Sequence, residues 1–326
     1  MFKKNFKYLA STGGLKNKKY LVFEAIKKEL ESEYNNLDVK ELCSLAGVSR
    51  SGYYRYISED GAQKRYNKEL KDREDFALIK IAYDYRGYAK GYRSICMRLN
   101  RMGTPMNHKK VLRLMNKYGL KCPIRKANPY RRMAKAIKTN VVAPNIVERQ
   151  FKSHGPRQVL LTDITYIRLQ KNFCYLSVII DAFTMQVLSF VLSESLEVDF
   201  VLETVNILIK NHLHSLEATT IIHSDQGCHY TSVKFRELIK DSNLRQSMSR
   251  RGNCWDNAPQ ESFFGHMKDE LAPYIPFWET FDDVNLRITD WMDYYNNDRY
   301  QSQLKGMAPN EYYHYIVTNK LPSALT

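Results

Sequence analysis

Three acidic side chains sit on three kinds of segment: Asp163 in the strand-like run VLLTDITYI, Asp225 just past the strand-like run TIIHS, and Glu261 in the helix-like run APQESFFGHMKDEL. Thirty-five residues separate Asp225 from Glu261. Carboxylates gathered in one place repel one another unless cations lie between them. Mg2+ and Mn2+ are hard ions that take such oxygen ligands and keep coordination sites open for water and phosphate. Two such ions over a phosphodiester suit an in-line displacement. Each acid alone carries little weight, because a strand-end Asp more often caps a turn. Asp181, closing the run VIID, competes for the second position, and Asp256 reads equally well as a helix cap ahead of Pro259. No Ser/His/Asp or Cys/His set offers a protein nucleophile.

The elements that must hold these acids follow from periodicity. After residue 155, VLLTDITYIRLQ, FCYLSVIID and TMQVLSFVLS read as three consecutive strands, with turns at Lys171-Asn172 and Ala182-Phe183. A helix over about 198–213, a buried strand TTIIHS, a helix around VKFRELIKDS, a short strand LRQSMS and a helix over about 257–271 complete the order βββαβαβα. That alternation predicts an α/β fold, a mixed sheet flanked by helices. Asp225 then lies at the carboxyl end of a central strand, where open α/β sheets gather ligands.

Ahead of this region the chain reads as all-α. LDVKELCSLAGVSRSGYYRYI has helix-turn-helix spacing, with a turn at Ala46-Gly47-Val48, a second helix capped by Ser49, a small core of Val39, Leu42, Val48 and Tyr53, and Arg50 and Arg55 facing outward. A second helical module carries apolar periodicity in FALIKIAY, GYRSICMRLN and HKKVLRLMNKYGL. In its last helix, after an Asn107 cap, Val111, Leu112, Leu114 and Met115 face inward and His108, Lys109, Arg113 and Lys117 face outward. KCPIRKANPYRRMAKAIKTN, with no acids, predicts an irregular tether in which Tyr130, Arg131 and Arg132 can follow a phosphate backbone. No internal repeat and no sustained heptad pattern is present.

Charge separates the two halves. Residues 1–150 hold 34 Lys and Arg against 14 Asp and Glu, whereas residues 151–326 hold 16 against 21. A basic front half attracts polyanions through counterion release, while an acidic back half meets them only with cationic help. The 6 cysteines show no CxxC pair, which predicts reduced thiols and an intracellular setting. No apolar run exceeds strand length, so neither a signal peptide nor a membrane span is expected.

TDITYI, HSDQGCHYTS, QSMSRRGNCWDNAPQESFFGHMKDE and DYYNNDRYQSQLKGMAPNEYY, in this order, resemble the retroviral-integrase-like core of insertion-sequence transposases, specifically the second-reading-frame (OrfB) proteins of the IS three family. The resemblance runs from about residue 76 to 315, since KGYRSICMRLN and NHKKVLRLM are similar to that family's second helix-turn-helix region. A Trp expected near the first acid is replaced within QVLLTD. The resemblance implies an RNase H-like core and a DDE triad whose last two members lie thirty-five residues apart, hence Asp163, Asp225 and Glu261 as catalytic groups and ligands of two Mg2+ or Mn2+ ions. It implies Lys268, seven residues after Glu261, as a basic companion near the DNA end; His223, Ser224, Gln226, Asn253 and Asn257 would shape the site.

The sequence therefore predicts a helical region with a helix-turn-helix over 1–65, a second such module over 66–120, a basic linker over 121–150, an RNase H-like core over 151–315 and a tail over 316–326. It predicts a DNA transposase that binds an element's terminal repeats and carries out metal-dependent strand cleavage and strand transfer. Arg50, Arg55, Lys109, Arg113, Lys117, Arg131, Arg132 and Lys268 are the expected DNA contacts. Expected partners are element-end and target double-stranded DNA, further copies of the chain on that DNA, and an upstream-frame protein or fusion. No membrane is expected, and the expected location is the bacterial cytoplasm at the nucleoid. Two rivals share these features: a non-catalytic DNA-binding regulator, and a structure-selective nuclease that cuts without joining.

Overall fold

Capping chemistry sets the first helices of the computed structural model, which describes residues 19–122, 143–250 and 254–322. Helix α1 spans Lys19–Leu30. Helix α2, Val39–Leu45, opens on a capping box in which the Asp38 carboxylate accepts from the Glu41 N–H and the Glu41 carboxylate accepts from the Asp38 N–H. Helix α3, Arg50–Ile57, opens on Ser49, whose hydroxyl accepts from the Gly52 N–H. Between α2 and α3, Gly47 takes φ +63°, a conformation that side-chain-bearing residues rarely adopt. Val22, Phe23, Ile26, Leu42, Cys43 and Tyr53 form the core under these helices, with Val39 and Val48 packed against it, and Arg50 and Arg55 are exposed. The contribution of α1 is absent from the sequence reading, which began the motif at residue 37.

Helix α4, Glu59–Asp84, is 26 residues long and carries the i,i+4 ion pairs Lys64–Asp60, Arg73–Glu69 and Lys80–Asp84. The described residues divide into two compact units between Ala77 and Leu78. In the second unit, α5 (Tyr92–Arg101) and α6 (His108–Lys117) pair, burying Ile95, Leu99, Val111, Leu114 and Met115. The Asn107 side chain caps α6 by accepting from the Lys109 N–H at 2.9 Å. His108, Lys109, Arg113 and Lys117 are exposed. Leu112, expected inside, is 42% exposed: it stands about 100° round the helix from Val111 and falls outside the buried arc of Val111, Leu114 and Met115.

The sheet has the strand order β3-β2-β1-β4-β5. Strands β1 (Val159–Leu169), β2 (Asn172–Asp181) and β3 (Val187–Ser193) form an antiparallel meander, and β4 (Ile221–Ser224) and β5 (Arg245–Met248) add in parallel. The first turn falls at Gln170-Lys171, one residue earlier than expected, because Asn172 already pairs with Leu169. Helix α7 (Asp199–His212) links β3 to β4. A single turn α8 (Cys228–Thr231) and α9 (Val233–Asp241) link β4 to β5. Helices α10 (Ala258–Leu271), α11 (Phe281–Asn297) and α12 (Pro309–Thr318) follow.

Alternation along the strands divides the interior into two cores. Leu160, Ile179 and Ile222 pack with Phe200, Val201, Val205 and Phe235 of α7 and α9. Val159, Leu161, Val178, Ile180 and Ile221 face the other way and pack with Phe263, Met267 and Leu271 of α10 and with Trp291 and Tyr295 of α11. Phe263 meets Trp291 and Tyr295 edge-on, at 5.5 and 4.9 Å between ring centroids. The indole N–H of Trp291 donates to Glu270 at 2.9 Å, and Arg299 Nε donates to the other Glu270 oxygen at 3.0 Å. These contacts fix the roll of α10. Cys43, Cys96, Cys122, Cys174 and Cys228 are free thiols, and no described helix is long and apolar enough to cross a membrane.

Candidate active site

The site is built where β1 outruns its partner. Strands β1 and β4 pair in parallel only through Leu161↔His223, and continuing that register by two residues sets Asp225 across from Asp163. Strand spacing is about 4.8 Å. Both positions lie on the sheet face that α10 covers, because Asp163 alternates with Val159 and Leu161 of that core, as Asp225 does with Ile221. On its other side Asp163 pairs with Val178 of β2, and the Val178 carbonyl accepts from Gln260 Nε2 at 3.4 Å. Gln260, fully buried, thus pins the first turn of α10 beside Asp163 and leaves the next residue, Glu261, exposed at the same edge.

Each aspartate is shaped by its own backbone. The Ile164 N–H donates to Asp163 at 2.8 Å, and the Gly227 N–H donates to Asp225 at 2.9 Å. A Cβ at residue 227 would lie 2.9 Å from Asp225 Oδ1, so a larger residue there would displace that carboxylate. Burial and the charge of Asp225 push the half-buried Asp163 carboxyl up to about 8; Glu261 adds to the rise, while the Ile164 N–H and Lys268 oppose it. Crowding by protein also pushes Asp225 upward, although its side chain keeps a solvent-exposed edge, and the Gly227 N–H and His229 oppose that shift. Among the described residues, no three His, Cys, Asp or Glu side chains are drawn together tightly enough to hold a metal ion as they stand. The donor set nonetheless fits Mg2+ or Mn2+: it is all carboxylate, and the mutual repulsion at Asp163 is what a cation relieves.

Several neighbours take roles the sequence did not show. His223 is fully buried, and the partners of both its ring nitrogens lie inside the protein. Its Nε2 lies 3.0 Å from the Asp256 carbonyl and its Nδ1 2.9 Å from Ser247 Oγ. A carbonyl only accepts, so Nε2 carries the proton and Ser247 donates to Nδ1; burial pushes this imidazole toward its neutral form. Ser224 donates to the Asp225 carbonyl, and Gln226 Nε2 donates to the Ser249 carbonyl at 3.0 Å. Tyr230, buried, is pushed well up by that burial and by the charges of Asp163 and Asp225.

Asp256 does not cap α10: the residue before that helix is Asn257, which makes no side-chain cap. Its buried carboxylate instead accepts from Arg250 N, Nε and Nη2, from Arg149 Nε at 2.7 Å and from Asn145 Nδ2 at 3.0 Å. Arg250 first, and Arg149 with it, hold Asp256 well below the usual carboxylate range. Asp181, the rival for the second acid, is fully buried and engaged by the Arg157 N–H and guanidinium and by the Phe183 N–H, on structural duty in the β2–β3 turn. Lys268 is half-buried on α10, seven residues from Glu261. Arg131, Arg132 and Asn253 lie outside the described residues.

Sheet order, helix placement and acid-bearing edge together define the class: an RNase H-like integrase core behind a helix-turn-helix region. Residues 153–254 and 242–309 match the family "Integrase core domain", and residues 69–128 match "HTH-like domain". The chain is 34% identical over 275 residues to the candidate transposase InsK of insertion sequence element IS150 from Escherichia coli (strain K12), covering 83% of this chain and 92% of that protein. It is 29% identical to a transposase for insertion sequence element IS629 from Shigella sonnei, covering 84% of this chain and 90% of that protein. Among solved structures, a chain of the simian T-cell lymphotropic virus intasome matches at 16% identity and TM-score 0.43, covering 72% of this chain and 74% of its own. The chain belongs to the insertion-sequence transposases with an integrase-like core.

Proposed function

We propose that this transposase is a DDE-type polynucleotidyl transferase in which Asp163, Asp225 and Glu261 carry the reaction. The observation that supports this most is the parallel register that carries Asp225 across from Asp163 at the sheet edge where the Gln260 contact to Val178 leaves Glu261 exposed. The three carboxylates would hold two Mg2+ or Mn2+ ions, which when bound activate the attacking oxygen and stabilise the leaving one.

The protein's own groups do the positioning. Backbone N–H groups of Ile164 and Gly227 orient the two aspartates. Gln260 fixes the start of α10 so that Glu261 faces the same edge, and Lys268 places a cation beside the incoming phosphates. In the first step water attacks the phosphodiester at the element end and the P–O3′ bond breaks, leaving a 3′-OH on the element and a 5′-phosphate on the flank. In the second, that 3′-OH attacks a target phosphodiester and a target 3′-OH leaves. No covalent protein intermediate forms.

Recognition of the terminal repeats falls to the helical region: Arg50 and Arg55 on α3, Lys109, Arg113 and Lys117 on α6, and Arg131 and Arg132. Further copies of the chain assemble on the DNA, with an upstream-frame protein or fusion as an additional partner, in the bacterial cytoplasm at the nucleoid. Labelled element ends incubated with Mg2+ and scored for nicking and for joining test the reading. Nicking and joining support it, nicking of pre-positioned ends without joining turns it into a nuclease, and end binding with neither turns it into a regulator.

A further inference from the structure

The second helical module is fastened to the core by side chains, well ahead of the stretch expected as a basic linker. Residues 123–142, most of that stretch, lie outside the described residues. Before them, Tyr85 donates to Asp298 at 3.0 Å and Tyr88 donates to Asp290 at 2.6 Å, both acids belonging to α11 or its last turn. Arg86 lies among Asp290, Asp293 and Asp298 and pairs most closely with Asp293. Tyr88 is fully buried in the core shared by α10 and α11, its ring 4.7 Å from that of Tyr294. Buried Lys90 donates to the Tyr83, Tyr85 and Tyr88 carbonyls and so shapes the bend that carries these groups. Within the bend Arg86 takes φ +59°, a conformation that persists where surrounding contacts hold it.

The fastening continues along α5. The Arg98 guanidinium lies over the Tyr85 ring, 3.2 Å from its centroid, and reaches Asp298 at 3.4 Å and the Tyr300 hydroxyl at 3.0 Å. Arg101, three residues on, donates to Glu311 in the first turn of α12 at 2.6 Å. Exposed ion pairs fix little, but the Arg98 and Arg101 side chains are only 14% and 7% exposed, and a shielded, several-partner guanidinium holds its geometry. Helix α6 packs on α5 through Ile95, Leu99, Val111, Leu114 and Met115. At the far side Asn296 of α11 exchanges two hydrogen bonds with the Val187 backbone, each 2.9 Å, and Trp291 and Tyr295 pack on Phe263 of α10. An unbroken run of packed elements therefore joins the outer face of α6, with Lys109, Arg113 and Lys117, to the helix that bears Glu261.

We propose that this clamp is a ruler: it holds the outer face of α6 at one separation from Asp163, Asp225 and Glu261, so that the segment of the repeat read by α6 decides which phosphate reaches the acids. The inference rests on the reading of those acids as the cutting site and of α6 as a reader of the terminal repeat. Arg86, Arg98 and Arg101 are then positioning residues that act through α5 and α6. A rigid link is sensitive to spacing, because each added base pair moves the duplex about 3.4 Å along its axis and about 35° around it.

The test uses the full chain on duplexes carrying the terminal repeat and its flank, with one, two or five base pairs inserted between the terminus and the segment whose footprint Lys109→Ala/Arg113→Ala removes. Placement is read by a photocrosslinker on Cys228, an exposed thiol three residues after Asp225, with Cys228→Ser as the labelling control. In wild type the crosslink moves by the length inserted and keeps its distance from the α6 segment. In Arg86→Gln/Arg98→Gln it spreads over several neighbouring positions while the footprint is kept. Arg101→Glu spreads it as well, and Arg101→Glu/Glu311→Arg returns it to a single position. A wild-type crosslink that stays at the terminus whatever is inserted overturns the proposal without recourse to any variant. So do clamp variants that crosslink as sharply as wild type, and a charge-swapped pair as diffuse as Arg101→Glu. The crosslink reads placement alone, so a chain whose crosslink moves with the insertion but which nicks no end in Mg2+ refutes the catalytic reading, while one that nicks ends with a crosslink that ignores the insertion refutes only the ruler.

Discussion

Replacing Asp163 with Asn should stabilise the protein in the absence of divalent ions. The Asp163 carboxyl stands at about 8 in the folded chain, from burial and the charge of Asp225, against an unfolded value near 3.9. A folded value above the unfolded one means that the folded state holds its proton more tightly, so stability present below about pH 4 is lost as pH rises towards 8. At pH 7 the integrated loss is about 4 kcal/mol; solvent at the half-buried side chain reduces the observable part to about 2 kcal/mol. Asn preserves the acceptor for the Ile164 N–H and removes the charge. At about 2–4 °C per kcal/mol, the variant should melt roughly 4–8 °C above wild type at pH 7 and level with it near pH 4. Mg2+ at ten times its dissociation constant should return about 1.4 kcal/mol to wild type and less to the variant. Thermal scans across pH, in chelator and in Mg2+, measure both effects. Parallel melting curves for the two proteins at every pH, or equal Mg2+ stabilisation of both, would refute the coupling on which the site rests.

Three further outcomes are expected. Asp225→Asn should abolish nicking and joining while end binding stays within about three-fold, read by gel shift beside a cleavage assay; near-normal turnover would remove Asp225 from the site. Asp256→Asn should cost about 1–3 kcal/mol near neutral pH by loosening Arg149, Arg250 and Asn145. Because the folded carboxyl is held low, that stability exists above about pH 4 and disappears in acid, so denaturant midpoints of the two proteins should converge at low pH and a constant gap would contradict the pairing. Removing residues 1–120 should abolish terminal-repeat binding and flatten the salt dependence of residual DNA affinity; an unchanged footprint would move recognition into the core.

Apolar runs of strand length made the core legible. The runs around Asp163, Asp181 and Ile222 are near-continuous apolar stretches because both faces of the sheet are covered, and Ser49, Asn107 and Gly47 marked their turns and caps by chemistry that needs no tertiary context. The motif residues named the acids, but motifs are silent on which face each one takes. That answer came from the parallel register of Leu161 with His223 and from the Gln260 contact to Val178, both long-range. The same limit explains Asp256 and His223. A helix-preceding Asp looks like a cap until Arg149, more than a hundred residues away in the chain, is seen to reach it. Leu112 failed for a simpler reason: four apolar residues in five positions cover more arc than a neighbour can bury.

The grip of Asp256 has a mechanical corollary. Asn145 and Arg149 stand where the chain enters the sheet domain, and both fasten to a carboxylate five residues before Glu261. The same entrance also holds the sheet's last strand, through the Met248 N–H donating to the Pro144 carbonyl and the Ile146 N–H donating to Ser247 Oγ. A pull at residue 145 would therefore be felt together by that edge strand and by the start of the helix that carries Glu261.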